Sequence, residues 1–354
     1  MEIKKILIIR FRRVGDSVLS SVLCSRLREA FPYAQIDYVL NKNIASLYYK
    51  HPDIDNLITF DEQENHNLWQ YLLKVRMVTK KNHYDVIIDT RSTIKTLLFS
   101  IFSFHSPYRI GRKKKYNVFI HNYRFDNYNS LLNNDMVERN LMLLSPLEHE
   151  AIIKYDSNFK LYVTEKEKED FRILMKQRGI DFERPVILAA VITRLDHKAW
   201  DKKNMKEILI RIINKYNAQI IFNFGDAEEG SALTFHHEMD NNESIFTNIR
   251  AHSLRDLCAM TFNCNFFFGN EGGPRHIAQA LSIPSYAIYP PGISKTIWLP
   301  GANDRYQGIS PDDKYTQKQQ QRLNYSERFN LITVEDVWEG VDHMLTDYLK
   351  KTST

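Results

Sequence analysis

Short apolar runs alternate with amphipathic stretches of helical length along most of this chain, and that alternation leaves few folds open. In the first half, "KKILIIR", "QIDYVLN", "IDNLITF", "YDVIIDT" and "YRIGR" read as strands. Between them, "DSVLSSVLCSRLREAFP", "NIASLYYKHP", "NLWQYLLKVRMVTKKNHY" and "STIKTLLFSIF" read as helices. Strands each followed by a helix cannot close as tight hairpins. They need crossovers, and therefore a parallel sheet with helices on its faces. The pattern weakens over residues 116–160, which are polar and aromatic, with "NDMVERNLMLLSPL" as one helix. It resumes at "RPVILAAV", followed by a helix at "NMKEILIRIINKYN", a strand at "AQIIFNFG", a helix after "DAEEG" and a short strand near "SIFTN". Then come a helix at "SLRDLCAMTFNC", a strand at "NFFFGN", a helix at "GPRHIAQALS" and a strand at "PSYAIYP". Residues 301–330 read as a polar loop. A last helix, "TVEDVWEGVDHMLTDYLKK", opens at Thr333 with the spacing of a capping box. The spacing predicts an α/β protein of two Rossmann-like, doubly wound domains, residues 1–160 and 161–332, facing across a cleft, with residues 333–354 as a terminal helix.

Bulk properties agree. A chain of 354 residues exceeds one ordinary domain. Hydrophobic content of 43% supports a sizeable core, and the net charge of +5 is too mild to demand nucleic acid. Cys24, Cys258 and Cys264 have no CxxC spacing, which fits a reducing compartment and excludes a disulfide framework. The apolar run near the N-terminus reads as a first strand rather than a signal peptide, and "TLLFSIFSF" is too short to span a bilayer. A cytoplasmic protein that at most touches a membrane surface is expected.

Chemistry-bearing residues fall where strands end. Asp16, in "FRRVGDSVLS", follows the first strand. Two readings stay open for it: a helix N-cap, or a carboxylate acting as general base. Gly15 before it would let the backbone approach a ligand. In "FFGNEGGPRHIAQAL" a strand gives way to two glycines and a helix beginning near Pro274, which seats an anion on unpaired N–H groups and a positive dipole end. "VITRLDHKAW" puts Arg194 and Lys198 on a loop at the carboxyl edge, either as anion partners or as a solvated basic loop. In "FGDAEEG", Glu228 or Glu229 is placed to bind ribose hydroxyls, or simply to favour a helix start. The run "RIGRKKKYN" is a solvated face or a phosphate contact. The triplet Asp53-Ile54-Asp55 reads as structural rather than as a metal site, and no His/Cys cluster has metal spacing. A dehydrogenase is disfavoured, because "RFRRVGD" offers a single glycine where a dinucleotide fingerprint needs three.

Together these stretches resemble the ADP-heptose:lipopolysaccharide heptosyltransferases of glycosyltransferase family 9. The carriers are Gly15-Asp16, "YDVIIDTRSTIKT", Glu138-Arg139 in "DMVERN", "LDHKAW" and "NEGGPRHIAQAL", in that order. Glu271 stands where the family usually has Asp, and "TRST" where it commonly has Gln-Gly. The resemblance implies a GT-B fold and an inverting, metal-independent transferase that needs no cofactor. It implies an acceptor-binding first domain, a donor-binding second domain, and a terminal helix crossing back to the first. It implies Asp16 as catalytic base. Donor contacts would come from Thr193, Arg194, Lys198, Glu229, Glu271, Gly272, Gly273 and His276. Acceptor contacts would come from Arg13, Lys95, Arg112 and Lys113. The implied partners are ADP-heptose, a Kdo-bearing lipid A-core acceptor and the cytoplasmic face of the inner membrane, not nucleic acid. A transferase for another nucleotide-activated sugar, or a non-catalytic nucleotide-sugar-binding protein of the same fold, is the alternative.

Overall fold

The computed structural model describes residues 2–126 and 135–350. The chain divides into two compact units between Tyr162 and Val163. In the first, β1 (Lys5–Ile9), α1 (Val14–Ser20), α2 (Val22–Ala30), β2 (Gln35–Asn41), α3 (Lys42–Ala45) and β3 (Asn56–Phe60) come first. They are followed by α4 (Glu62–His66), α5 (Leu68–Asn82), β4 (Val86–Asp89), α6 (Ile94–Phe102), β5 (Tyr108–Arg112), β6 (Tyr123–Phe125) and α7 (Met136–Leu141). The six strands form one parallel sheet in the order β3-β2-β1-β4-β5-β6. Leu7 and Ile9 on β1, Val39 on β2 and Ile87 on β4 pack with Tyr71 and Val75 of α5 into one core. Strands buried on both faces read as near-continuous apolar runs, which is why β1, β2 and β4 were visible in the sequence.

The second unit opens with α8 (Glu165–Gln177), then β7 (Val186–Ala190), α9 (Lys202–Tyr216), β8 (Gln219–Phe222), α10 (Glu229–His237) and β9 (Ile245–Phe246). It continues with α11 (Leu254–Phe262), β10 (Phe266–Asn270), α12 (Gly273–Ala280), β11 (Ser285–Ile288), α13 (Lys295–Trp298) and β12 (Tyr306–Ile309). The chain ends in α14 (Gln317–Gln320), α15 (Tyr325–Phe329) and α16 (Val334–Lys350). Its six parallel strands run β12-β11-β10-β7-β8-β9. The stretch 301–330 is therefore not all loop, since it holds an edge strand and two short helices. The terminal helix, expected to return to the first unit, buries Val337, Val341, Met344 and Leu345 in the second unit's core beside Ile208 and Ile212 of α9. Residues 351–354 of that expected segment lie outside the described residues. Among the described residues no helix is long and apolar enough to cross a membrane.

Candidate active site

Each sheet has its switch point, where crossovers leave in opposite directions, beside its first strand: β1 against β4, and β7 against β10. Ligands of such sheets bind beyond the carboxyl ends of the strands at that point. In the first unit the apolar run of β1 stops at Ile9, and Arg10 follows with its side chain buried. Its guanidinium forms an ion pair with Asp16 and reaches Thr90 Oγ1, just past β4, at 3.4 Å. Asp16 is not the helix cap. Arg13 occupies the cap position of α1, no side chain caps that helix, and Asp16 lies inside its first turn. The positive φ of this loop falls not at Gly15 but two and three residues before it, at Arg13 and Arg12, which take 42° and 67°. Non-glycine residues in such conformations cost on the order of 1 kcal/mol or more each and persist only where neighbours hold them. Here the Arg12 N–H donates to Asn41 Oδ1 at 2.6 Å.

A cavity of about 950 Å³ opens at the carboxyl ends of β1 to β4, walled in part by Phe11, Arg12, Lys42, Arg91, Lys95 and Tyr116. Of the four cations assigned to an acceptor, Lys95 is in this wall. Arg13 and Lys113 are exposed and outside it. Arg112 is also outside it, buried in β5 and donating to Asn140 Oδ1 at 3.0 Å. Burial first, then the charges of Arg10 and Arg139, push the Arg112 guanidinium down to about 10. Arg91 is lowered too, by burial and then by Arg10 and Arg12, with Asp16 and Asp89 opposing. The run from Arg109 is not one solvated face. Arg109 lies in β5 and donates to the carbonyls of Ile120, Phe104 and Ser106, a structural use. Asp53 and Asp55 are likewise structural: Asp53 accepts from Ser25 Oγ at 2.6 Å, and Asp55 pairs with Arg28 and accepts the Ile36 N–H.

In the second unit one residue joins the two predicted donor elements. Asn270 ends β10 directly before Glu271-Gly272-Gly273. Its Nδ2 donates to the carbonyls of Ala190 and Val191 at the end of β7, at 3.0 and 3.1 Å. Its Oδ1 accepts the Trp200 N–H at 2.8 Å. Trp200 is buried and two residues beyond Lys198, so Asn270 bolts the lysine loop to the glycine turn. Among the described residues the Lys198 ammonium makes no hydrogen bond or ion pair. Thr193 Oγ1 donates to the Leu195 carbonyl within the same loop, and Arg194 is exposed. Gly272 is the cap residue of α12, and a Cβ there would meet nothing nearer than Pro274 Cδ at 3.7 Å. Packing against neighbouring side chains does not demand this glycine.

His276 is buried in the first turn of α12, and its imidazole is held well below its ordinary range, by burial first and then by Arg275. Arg275 Nη2 lies 3.2 Å from His276 Nδ1. A guanidinium only donates, so Nδ1 accepts and Nε2 carries the proton, 3.9 Å from Glu271 Oε1. The histidine is thus a neutral donor, and its contact with Glu271 is not an ion pair. Arg275 also donates to Gln279 Oε1 and the Trp298 carbonyl, while its Nε and Nη1 are buried without partners. Beyond β8, Glu228 folds back onto the Gly225 N–H at 2.7 Å, and Glu229 is held by Arg250 at 2.6 Å. Arg10, Arg91, Asn270, Arg275 and Arg250 were not singled out from the sequence. The available signal was a polar residue ending an apolar strand, as at Arg10 and Asn270.

Two Rossmann-like sheets, each with polar residues at its switch point, match the GT-B architecture. The sequence matches glycosyltransferase family 9 (heptosyltransferase) over residues 72–329, and the chain belongs to that family. It is 22% identical to lipopolysaccharide heptosyltransferase 1 of Campylobacter coli, over 80% of this chain and 83% of that protein. Among solved structures it is similar to a family 9 glycosyl transferase from Veillonella parvula, with a TM-score of 0.81, 17% identity and 98% of both chains covered. It is also similar to the ADP-heptose lipopolysaccharide heptosyltransferase II of E. coli, with a TM-score of 0.74, 19% identity and coverage of 97% and 99%.

Proposed function

We propose that this chain moves a heptose from ADP-heptose to the inner core of a lipopolysaccharide or lipooligosaccharide, on the cytoplasmic face of the inner membrane, with inversion and without a metal ion. The observation that supports this reading is the Asn270 clamp, which ties the loop carrying Lys198 to the strand end that leads into the glycine-opened helix α12. Similarity to proteins named for ADP-heptose and lipopolysaccharide supports the choice of donor and acceptor. The first unit holds the acceptor. Arg12, Arg91 and Lys95 meet its acid groups, and the Asp16 carboxylate, oriented by Arg10, accepts the proton of the attacking hydroxyl. The hydroxyl oxygen bonds to the anomeric carbon as the bond from that carbon to the diphosphate breaks, and ADP leaves with the electron pair. Lys198, the first-turn N–H groups of α12 and its dipole stabilise the charge that develops on the diphosphate, the work a metal would otherwise do. Glu229 and the His276 Nε2–H bind elsewhere on the donor.

Asp16→Ala should reduce transfer by roughly 10²- to 10⁴-fold, the usual contribution of a general base, while calorimetric binding of ADP-heptose stays near wild type. Lys198→Ala should weaken that binding. Undiminished turnover in the Asp16 variant overturns the base assignment. Transfer in excess chelator should proceed at the untreated rate, and loss of rate restored by a divalent cation overturns the metal-free reading. Preference for a different nucleotide sugar in a donor panel overturns the choice of substrate.

A further inference from the structure

Helices α5 and α6 run side by side in the same direction. Tyr71 near the start of α5 donates to the Lys95 carbonyl at the start of α6, and His83 and His105, just past their ends, bring their rings to 5.4 Å. The buried side of α5 is Tyr71, Val75, Val78 and Thr79. Its opposite side carries Trp69, Leu73 and Met77 at successive turns, 77%, 66% and 62% exposed. On the neighbouring α6, Ile94 and Ile101 are also exposed, as is Phe104 just past its end. Arg76 and Lys80 are exposed on the same side of α5, and neither helix contains a carboxylate. An exposed apolar stripe of this size marks an interaction surface, and a tryptophan among basic residues fits the headgroup region of an anionic bilayer. The same helices wall the cavity at their N-terminal ends, through Tyr71 and the Thr93–Thr96 turn.

We propose that the α5–α6 face docks on an anionic lipid bilayer, with Trp69, Leu73 and Met77 at the boundary of headgroups and acyl chains and Arg76 and Lys80 on lipid phosphates. This rests on the reading above in one respect: a lipid-anchored acceptor would then reach the cavity without leaving its membrane. The surface lies on α5 and α6, not on the Arg109–Lys115 run.

The test is sedimentation of the full chain with vesicles of phosphatidylethanolamine and phosphatidylglycerol, beside vesicles of phosphatidylcholine alone. The wild type should bind the anionic vesicles, less so as salt rises, and the neutral ones weakly. The Trp69→Ser/Leu73→Ser/Met77→Ser variant should bind about tenfold more weakly, and Arg76→Glu/Lys80→Glu should bind weakly at any salt. These readouts need no sugar transfer, so they are independent of the proposed activity. On a water-soluble core acceptor the triple variant should keep the wild-type rate, and on a vesicle-embedded one it should lose it. Equal vesicle binding by the triple variant overturns the proposal. So does a wild type that light scattering finds dimeric without lipid and that the three substitutions make monomeric.

Discussion

The Arg10–Asp16 pair shows what a single residue can and cannot disclose before the fold is known. That Asp16 follows the first strand was legible, and with it the suspicion of chemistry. Its choice between cap and base was not, because spacing cannot count helix positions across a loop whose two arginines take left-handed backbone. With the loop in view, Arg13 takes the cap position and the carboxylate turns to a buried guanidinium. Arg10 is thus a positioning residue for Asp16. Arg10→Met removes the counter-charge and the orienting contact together. Turnover should fall by about tenfold to a hundredfold while the acceptor KM stays near wild type. Arg10→Lys should recover part of the lost kcat. An unchanged kcat in the methionine variant would leave Arg10 with a packing role only.

At the scale of elements, the strands that wall both switch points were legible because they are buried on both faces, and their apolar runs are unbroken. What stayed hidden has a physical pattern. β6 and β12 are edge strands, short and partly exposed, with too few alternating residues to show a period. α8 escaped because its first turns are "EKEKED", and its buried side is only Phe171 and Met175. The Asn270 clamp was out of reach because it joins loops from β7 and β10, which are neighbours in space and about 80 residues apart in the chain. It also separates two kinds of variant. Asn270→Ala strands two buried carbonyls and the Trp200 N–H, so stability should fall by about 1–3 kcal/mol and donor KM should rise as the lysine loop loosens. Gly272→Ala makes only an ordinary van der Waals contact with Pro274, so stability should fall by no more than about 0.5 kcal/mol, while donor affinity falls about tenfold. Equal effects of the two substitutions on stability would contradict the reading of Gly272 as a place kept clear for a ligand.

For the whole molecule, the duplication of one architecture means two cores, and each buries histidine. His121 and His51 belong to the first unit and His276 to the second. All three imidazoles are lowered from 6.5, chiefly by burial, His121 to about 4 with help from Arg109 and Arg124. A histidine kept neutral when folded takes up a proton when unfolded at any pH below its ordinary value. The unfolded chain then binds more protons, and stability falls as pH drops through that window. The stabilisation is complete above about pH 6.5 and is lost towards pH 4, and for His121 alone the loss is about 3 kcal/mol. Asp89 opposes it: its carboxyl is raised by burial, with Oδ2 unpartnered 4.0 Å from His121 Nε2, so the folded state gains protons there as pH falls. Three histidines against one carboxyl leave acid lability as the net sign. Urea midpoints should therefore drop between about pH 7 and pH 5. His121→Asn should flatten the drop in the transition of the first unit, and His276→Asn that of the second, provided each variant still melts cooperatively at the higher pH. A wild-type midpoint that is level across this interval would mean that these rings take up protons while folded, which their burial in both cores forbids.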